Sequence, residues 1–254
     1  MTFQPFRFIW GVYAWLLIIP VLLAVALLLL AFPTLPQRRR AARLAARAYF
    51  RLCGLPARTA RMELLPPGPC IVVANHASYL DGPLLFAALP PRFGFVIKKE
   101  VSRIPLVGFL LRRLGHEFVE RFNRHEGASD ARRILRAVVQ GDSVVFFPEG
   151  TFSAEAGLAR FHTGAFVTAT RAGVPVAPVV IRGTRKVLRA HRYLPHWSRL
   201  EVEALEPIAV MNGVDTAAAM RDTARERIAS ALSEPLLYRG RNPLKGCVPF
   251  KRPL

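Results

Sequence analysis

The chain has 254 residues, 52% of them apolar, which is enough for one α/β domain with an appended anchor and too apolar for intrinsic disorder. Lysine and arginine number 36 against 17 aspartates and glutamates, a net charge of +19. That balance favours an anionic partner: a lipid surface, an acidic carrier protein, a phosphorylated substrate or nucleic acid. Cys53, Cys70 and Cys247 have neither zinc-site nor disulfide-framework spacing. They read as free thiols in a reducing compartment, with Cys70 in the core.

From Phe8 to Phe32 the chain is almost wholly apolar and carries no charge. As a helix this run reaches about 37 Å at 1.5 Å per residue, against roughly 30 Å of hydrocarbon. The length predicts one tilted crossing, while Pro20 offers the alternative of a shallow hairpin that never crosses. Trp10, Tyr13 and Trp15 suit the headgroup region. Arginines 38, 39, 40, 43 and 47 follow, with only Arg7 ahead, and the positive-inside rule then puts the rest of the chain in the cytoplasm. A cleaved signal peptide fits poorly, because the run is too long and arginines stand where the cleavage site should be. Residues 37–52 read as a basic helix that either rests on anionic headgroups or is a solvated linker. Predicted segments are therefore an anchor with its basic helix over 1–58, a catalytic domain over 59–238, and a basic tail over 239–254.

Within the second segment the pattern predicts strands at Ile71–Ala74, Phe93–Lys98, Glu117–Glu120, Ser143–Phe147, Val176–Ile181 and Leu200–Ala204. Predicted helices cover Leu80–Leu89, Ile104–Leu114, Asp130–Gln140, Thr163–Ala172 and Thr216–Leu237. Ser129 is the expected N-cap and Gly141 the expected stop of the third. The alternation predicts an α/β fold, a mixed and mainly parallel sheet flanked by helices behind an N-terminal membrane-anchoring helical segment.

The most informative stretch is Asn75-His76-Ala77-Ser78-Tyr79-Leu80-Asp81, directly after the apolar run Ile71–Ala74. A histidine at a strand end can act as a base near neutral pH, and a nearby carboxylate can fix its tautomer. Residues five apart do not share a helical face, so His76 belongs in a loop and Asp81 in the first helical turn. Together with Phe147-Pro148-Glu149-Gly150-Thr151, this motif resembles the first and third motifs of the glycerolipid acyltransferases, and among them the lysophosphatidate acyltransferases. Val96 to Glu100 with Ile104 to Gly108, Gly115 to Arg121, Phe161 to Phe166 and Val174 to Pro178 resemble the family's other segments. They fall in the family's order from about residue 60 to 205.

The resemblance implies a membrane-bound acyltransferase that moves a fatty acyl group from acyl-carrier protein or acyl-CoA to the hydroxyl of lysophosphatidate. His76, with an ordinary pKa near 6.5, would take the hydroxyl proton, help typically worth about 10² to 10⁴ in rate. Asp81 would orient it and stabilise the imidazolium, as in a triad whose serine is replaced by the substrate. Carried over as binding residues are Asn75, Ser78, Lys98, Arg121, Glu149, Gly150 and Thr151, with Arg121 first for the acceptor's phosphate, since a guanidinium can hold two phosphate oxygens. Neither a metal nor a cofactor is implied, because the thioester already activates the acyl group. The expected location is a membrane such as the bacterial inner membrane, with the catalytic domain on the cytoplasmic side.

In one respect the sequence departs from the family. Phe152 stands where the family usually has a basic residue, which makes another lysophospholipid or a lyso-ornithine lipid a credible acceptor; Arg160 and His162 are possible substitutes for the missing cation. The competing class is a membrane-tethered lipid- or nucleic-acid-binding protein, but no nucleic-acid motif accompanies the charge. A hydrolase lacks its Gly-x-Ser-x-Gly elbow.

Overall fold

A computed structural model describes residues 5–120, 124–210, 216–232 and 235–237. Seven strands, β1 (Ala57–Ala60), β2 (Ile71–Ala74), β3 (Phe93–Lys98), β4 (Glu117–Val119), β5 (Ser143–Phe146), β6 (Val176–Arg182) and β7 (Leu200–Ala204), form one sheet. Their order is β1-β7-β6-β2-β5-β3-β4. Every pairing is parallel except β6 with β7, so the sheet is mixed and mainly parallel. The central strand β2 is buried along its whole length, the condition that produces an unbroken apolar run rather than alternation.

Helices α3 (Asp81–Ala88), α4 (Pro105–Arg113), α5 (Arg124–Val139), α6 (Gly164–Ala172) and the single turn α7 (Thr184–Val187) connect the strands, and α8 (Thr216–Leu232) follows β7. Two apolar layers result. One joins β2 side chains Val72 and Ala74 to Leu84 and Leu85 of α3. The other joins Ile71 and Val73 to Ile134, Phe166, Met220 and Ile228, as the period-2 alternation of a strand requires.

The single turn α7 lies outside the expected helices, and β1, α5 and α8 also differ from the sequence pattern. β1 was not foreseen: Ala57-Arg58-Thr59-Ala60 is a half-exposed edge strand whose only signal is its register with β7. Its span straddles the expected segment boundary at 58. Helix α5 starts at Arg124, so Ser129 is internal rather than an N-cap. Asp130 does not cap it either, since its Oδ2 accepts the Glu120 N–H at 2.9 Å. Helix α8 stops at Leu232 rather than 237. Beyond it Pro235 O accepts the Leu158 N–H and Leu158 O accepts the Leu237 N–H, each at 3.0 Å, so the chain leaves the helical path where proline has no N–H to give.

The apolar N-terminal run is one continuous helix, α1 (Pro5–Ala31), which passes through Pro20 unbroken. It is the one helix among the described residues long and apolar enough to cross a membrane, with mean hydropathy 2.9. A short turn joins it to α2 (Leu35–Leu52), and the two pack as an antiparallel pair. Ala14 meets Phe50 and Cys53, while Val25 and Leu29 meet Ala42, Leu110 and Leu114. Polar ties repeat along the helix: Trp10 Nε1 donates to Cys53 O at 3.0 Å, Tyr49 Oη to Ala14 O at 3.1 Å, and Arg113 to Leu29 O at 2.8 Å. Gly11 is required by close approach, since a Cβ there would lie 2.6 Å from Leu194 Cδ1. The opposite face leaves Ile9, Leu16, Ile19, Leu23, Leu27 and Leu30 exposed.

On α2 the arginines divide. Arg39 is buried and donates to Leu114 O, Arg92 O and Gly115 O, with burial pulling its pKa down. Arg38 closes the α1–α2 turn onto Phe32 O and Pro33 O, and Arg43 reaches Ala88 O. Arg40, Arg47 and Arg51 remain exposed beside Leu44 and Leu52.

Candidate active site

Because β2 and β5 are parallel neighbours, their C-terminal ends open on the same edge of the sheet, where ligand crevices form in α/β folds. The β2 end delivers Asn75 to Leu80; the β5 end delivers Phe147 to Phe152. His76 lies in the loop and Asp81 is the first residue of α3.

One Asp81 oxygen organises the loop. Oδ2 accepts His76 Nδ1–H at 2.9 Å, the Ala77 N–H at 2.5 Å and the Ser78 N–H at 2.8 Å. An ionised carboxylate can only accept, so it holds the proton on Nδ1 and leaves the Nε2 lone pair outward. Asp81 is fully buried, whereas the His76 side chain keeps 19% of its surface open. No described residue bonds Nε2. Phe147 stacks on the imidazole with centroids 4.3 Å apart, Phe152 meets it edge-on at 4.6 Å, and Tyr79 meets Phe152 edge-on at 4.7 Å. The imidazole thus stands in an aromatic collar with Nε2 unbonded by any described residue. His116 is the contrast: burial pushes its pKa down to about 3, and its Nδ1 accepts the Phe95 N–H, so it is a neutral strut.

Glu149 reaches the same loop from the β5 side. Its Oε1 accepts the His76 N–H at 2.6 Å and its Oε2 the Ala159 N–H at 2.8 Å. Burial pushes its pKa up to about 7; the two N–H donors pull down, Asp81 pushes up, and Arg185 pulls down. Both oxygens are committed to backbone, so the carboxylate clamps the His76 loop. Gly150 makes this approach possible with φ +76°, its N–H closing a turn onto Phe147 O at 3.0 Å, a conformation that costs glycine little. Thr151 is exposed on the same turn.

Asn75 and Ser78 point inward. Asn75 exchanges two hydrogen bonds with the Ile181 backbone at 2.8 and 2.9 Å, extending the β2–β6 ladder. Ser78 is fully buried and donates to Leu188 O at 2.7 Å. Lys98, at the end of β3, shares the sheet edge two strands away and pairs with Glu100 at 3.1 Å. Arg121 lies outside the described residues. Arg160 is exposed and within electrostatic reach of Asp222 on α8. Thus His76, Asp81, Asn75, Ser78 and Glu149 come together, and Lys98 stands apart. The collar residues Phe147 and Tyr79 were not singled out in the sequence, although both are aromatics inside the two motifs.

The arrangement is a histidine–aspartate pair at the edge of an α/β sheet, with the Ser78 hydroxyl of the same loop donated to Leu188 O. Comparison with known proteins gives it a family. Residues 57–182 match the family described as Acyltransferase. The 1-acyl-sn-glycerol-3-phosphate acyltransferase of Haemophilus influenzae is 34% identical over 167 residues, 63% of this chain and 68% of that protein. A chloroplastic enzyme of the same name from Brassica napus is 36% identical over 129 residues, half of this chain, and the chain spans only 37% of its length. The lyso-ornithine lipid O-acyltransferase of Pseudomonas aeruginosa is 38% identical over 120 residues, 46% of this chain and 44% of that protein. The crystal structure of the 1-acyl-sn-glycerophosphate acyltransferase of Thermotoga maritima shares the fold, with a TM-score of 0.72 at 20% identity over 88% of this chain and 95% of that one. The chain belongs to the acyltransferase family.

Proposed function

We propose that this chain transfers a fatty acyl group from an acyl thioester, carried by acyl-carrier protein or coenzyme A, to the free hydroxyl of a lysolipid, with lysophosphatidate the first choice. The observation that carries the reading is the His76–Asp81 contact at 2.9 Å with Nε2 left open beside it. Nε2 takes the hydroxyl proton as the oxygen attacks the thioester carbonyl, and Asp81 stabilises the imidazolium that forms. The tetrahedral intermediate collapses to the ester. It expels a thiolate, which takes the proton back from His76. Glu149 acts as a positioning residue, because it is buried with each oxygen holding a backbone N–H. Arg121 and Lys98 are proposed to contact the phosphate.

A second acceptor class has its own support. Phe152 packs against the base where the family usually places a cation, and one relative is named for acting on lyso-ornithine lipid.

The enzyme works at a membrane surface, with α1 lying along it rather than piercing it. The support is the docking of α1 on α2 and on Leu194 along one stripe, with the opposite apolar face open. That is the arrangement of a monotopic anchor. It is an alternative to the tilted crossing expected from length alone.

Thiol release from an acyl thioester, followed with and without lysophosphatidate, tests the reaction. The wild type should release thiol only with acceptor, and His76→Ala should lose about 10² or more in turnover. Full turnover without the imidazole would remove the proposed base.

A further inference from the structure

The open apolar face of α1 does not end with the helix. Trp15, Ile19, Leu23 and Leu27 are all exposed and follow one another at four-residue spacing, which puts them on a single face. Trp15 begins that row, and its Nε1–H donates to Tyr193 O. One turn earlier, Leu194 and Pro195 lie against Gly11. The face therefore continues onto residues 188–199, the connection from α7 to β7. There Tyr193 is 79% exposed and Trp197 58%, with Trp197 Nε1–H held on Gly54 O at 2.7 Å. Such rings, apolar in body and polar at the tip, suit the headgroup level of a bilayer.

Cations stand directly beside these rings. Lys186, Arg189 and Arg192 are exposed and line a cavity of about 370 Å³ together with Leu194, so the charges share a wall with the residue that touches Gly11. That volume is within the range of ligand pockets. Arg189 donates to Ala154 O at 2.8 and 3.0 Å, and a carbonyl fixes a guanidinium without cancelling its charge. Among the described residues no acid forms an ion pair with Lys186, Arg189 or Arg192. A turn closed by the Arg192 N–H on Arg189 O at 3.0 Å, with His191 at φ +63°, holds both arginines next to Tyr193. An occupant of this surface has to be anionic where the cations stand and continuous with hydrocarbon where α1 begins. A leaflet of anionic phospholipid meets both conditions, whereas an acidic protein meets only the first.

We propose that the α7–β7 connection is a second membrane contact, in which Lys186, Arg189 and Arg192 bind the headgroup phosphates of anionic bilayer lipids while Tyr193 enters the headgroup layer beside α1. The lipids meant are those of the surrounding leaflet, not the acyl acceptor. The inference rests on the in-plane reading of α1 and deepens it. Leu188 O of the same connection accepts Ser78 Oγ at 2.7 Å, so the segment that rests on lipid is bonded to the loop that carries His76. Lys186 and Arg192 are the residues to change, since their side chains are exposed and hold no described backbone group.

The test adds the full chain from detergent to a mixture of two vesicle populations, one of phosphatidylcholine and one of phosphatidylcholine with phosphatidylglycerol, and separates them by density. The wild type should favour the anionic population. Lys186→Gln with Arg192→Gln should cut that preference about tenfold or more, since two charges leave the surface. The control removes two exposed arginines of α5, Arg132→Gln with Arg136→Gln. Helix α5 packs on the sheet face that carries Ile71 and Val73, opposite the face that meets α1, so this pair should keep the preference within about twofold. Thermal unfolding of both variants should match the wild type. Equal losses in the two pairs would assign the preference to net charge and overturn the site. An unchanged preference in the first pair overturns it too, as does loss of binding to an acidic carrier protein in place of lipid. If the wild type floats with neither population, the in-plane reading of α1 fails and the site is judged on binding alone. Monomeric short-chain phosphatidylglycerol, followed by phosphorus NMR, should then bind the wild type at least fivefold more tightly than the Lys186→Gln, Arg192→Gln variant, and equal or absent binding overturns the site.

Discussion

Asp81→Asn is the sharpest probe of the dyad, because the structure separates what it removes from what it keeps. The amide oxygen can take the place of Oδ2 and still accept the Ala77 and Ser78 N–H groups, now at 2.5 and 2.8 Å. The amide nitrogen must then occupy the place of Oδ1, a buried atom with no hydrogen-bond partner. A buried unsatisfied donor costs about 1–3 kcal/mol, so the variant should fold with reduced stability. What disappears is the negative charge 2.9 Å from His76 Nδ1, and with it the stabilisation of the imidazolium; the amide oxygen still accepts Nδ1–H and keeps the tautomer that leaves Nε2 free. In a serine-protease triad, where the same change also loses the tautomer, kcat falls about 10⁴. Here kcat should fall by about 10² to 10⁴, or about 3–5 kcal/mol of barrier, with the acceptor KM within about threefold. The assay is steady-state thiol release, with thermal unfolding run alongside to bound the folding loss. A kcat within threefold of wild type in a folded variant would refute the dyad argument.

Glu149 gives a pH signature in stability. Its folded pKa of about 7 stands above the ordinary 4.5, so the folded chain holds a proton that the unfolded chain has lost. The contribution is full below pH 4.5 and is lost as pH rises to about 7, at about 1.4 kcal/mol per pH step, about 3 kcal/mol in all. Denaturant unfolding should show that slope in the wild type and lack it in Glu149→Gln; matching slopes would assign the dependence elsewhere. Phe152→Arg should raise kcat/KM for lysophosphatidate about tenfold, the worth of one charge-assisted hydrogen bond, and an unchanged value would sever Phe152 from headgroup choice. Ile19→Glu with Leu23→Glu alters only the open face of α1, where these side chains are 58% and 53% exposed. If that face meets lipid, two apolar side chains at about 1.5–3 kcal/mol each should shift vesicle partitioning by about 10² or more while the fold survives. Retention in the membrane fraction would contradict the in-plane anchor.

The sheet was legible because its central strands are buried on both faces and read as apolar runs, Ile71–Ala74 foremost. The His76–Asp81 contact was legible in the motif, since a strand end, a loop and a helix start fit into seven positions. What the sequence pattern hid was long-range. β1 carries no apolar run and exists through its partner β7. The helix α1 is apolar all round, so the buried stripe of Gly11, Ala14, Val25 and Leu29 is indistinguishable in sequence from the exposed one. Glu149 looked like a ligand contact from its motif. Its clamp on His76 and Ala159 needs two segments that fold together only in three dimensions.

The collar around His76 bears on why such a dyad would esterify an alcohol instead of hydrolysing its thioester. The same imidazole that can take a proton from a lipid hydroxyl can take one from water, and water is far more abundant. The geometry works against water in two ways. Phe147 stacks on one face of the ring and Phe152 meets it edge-on, so the ring's immediate surroundings favour the carbon surface of a lipid glycerol backbone over water. The neighbouring polar side chains are already spent: Asn75 on Ile181, Ser78 on Leu188 and Glu149 on two backbone N–H groups. They therefore offer little to hold a water in the attacking position, whereas an acceptor brings its own anchoring groups in its tail and headgroup. On the proposed reading, selectivity for the alcohol follows from binding energy gathered far from the reacting atoms, which water cannot supply.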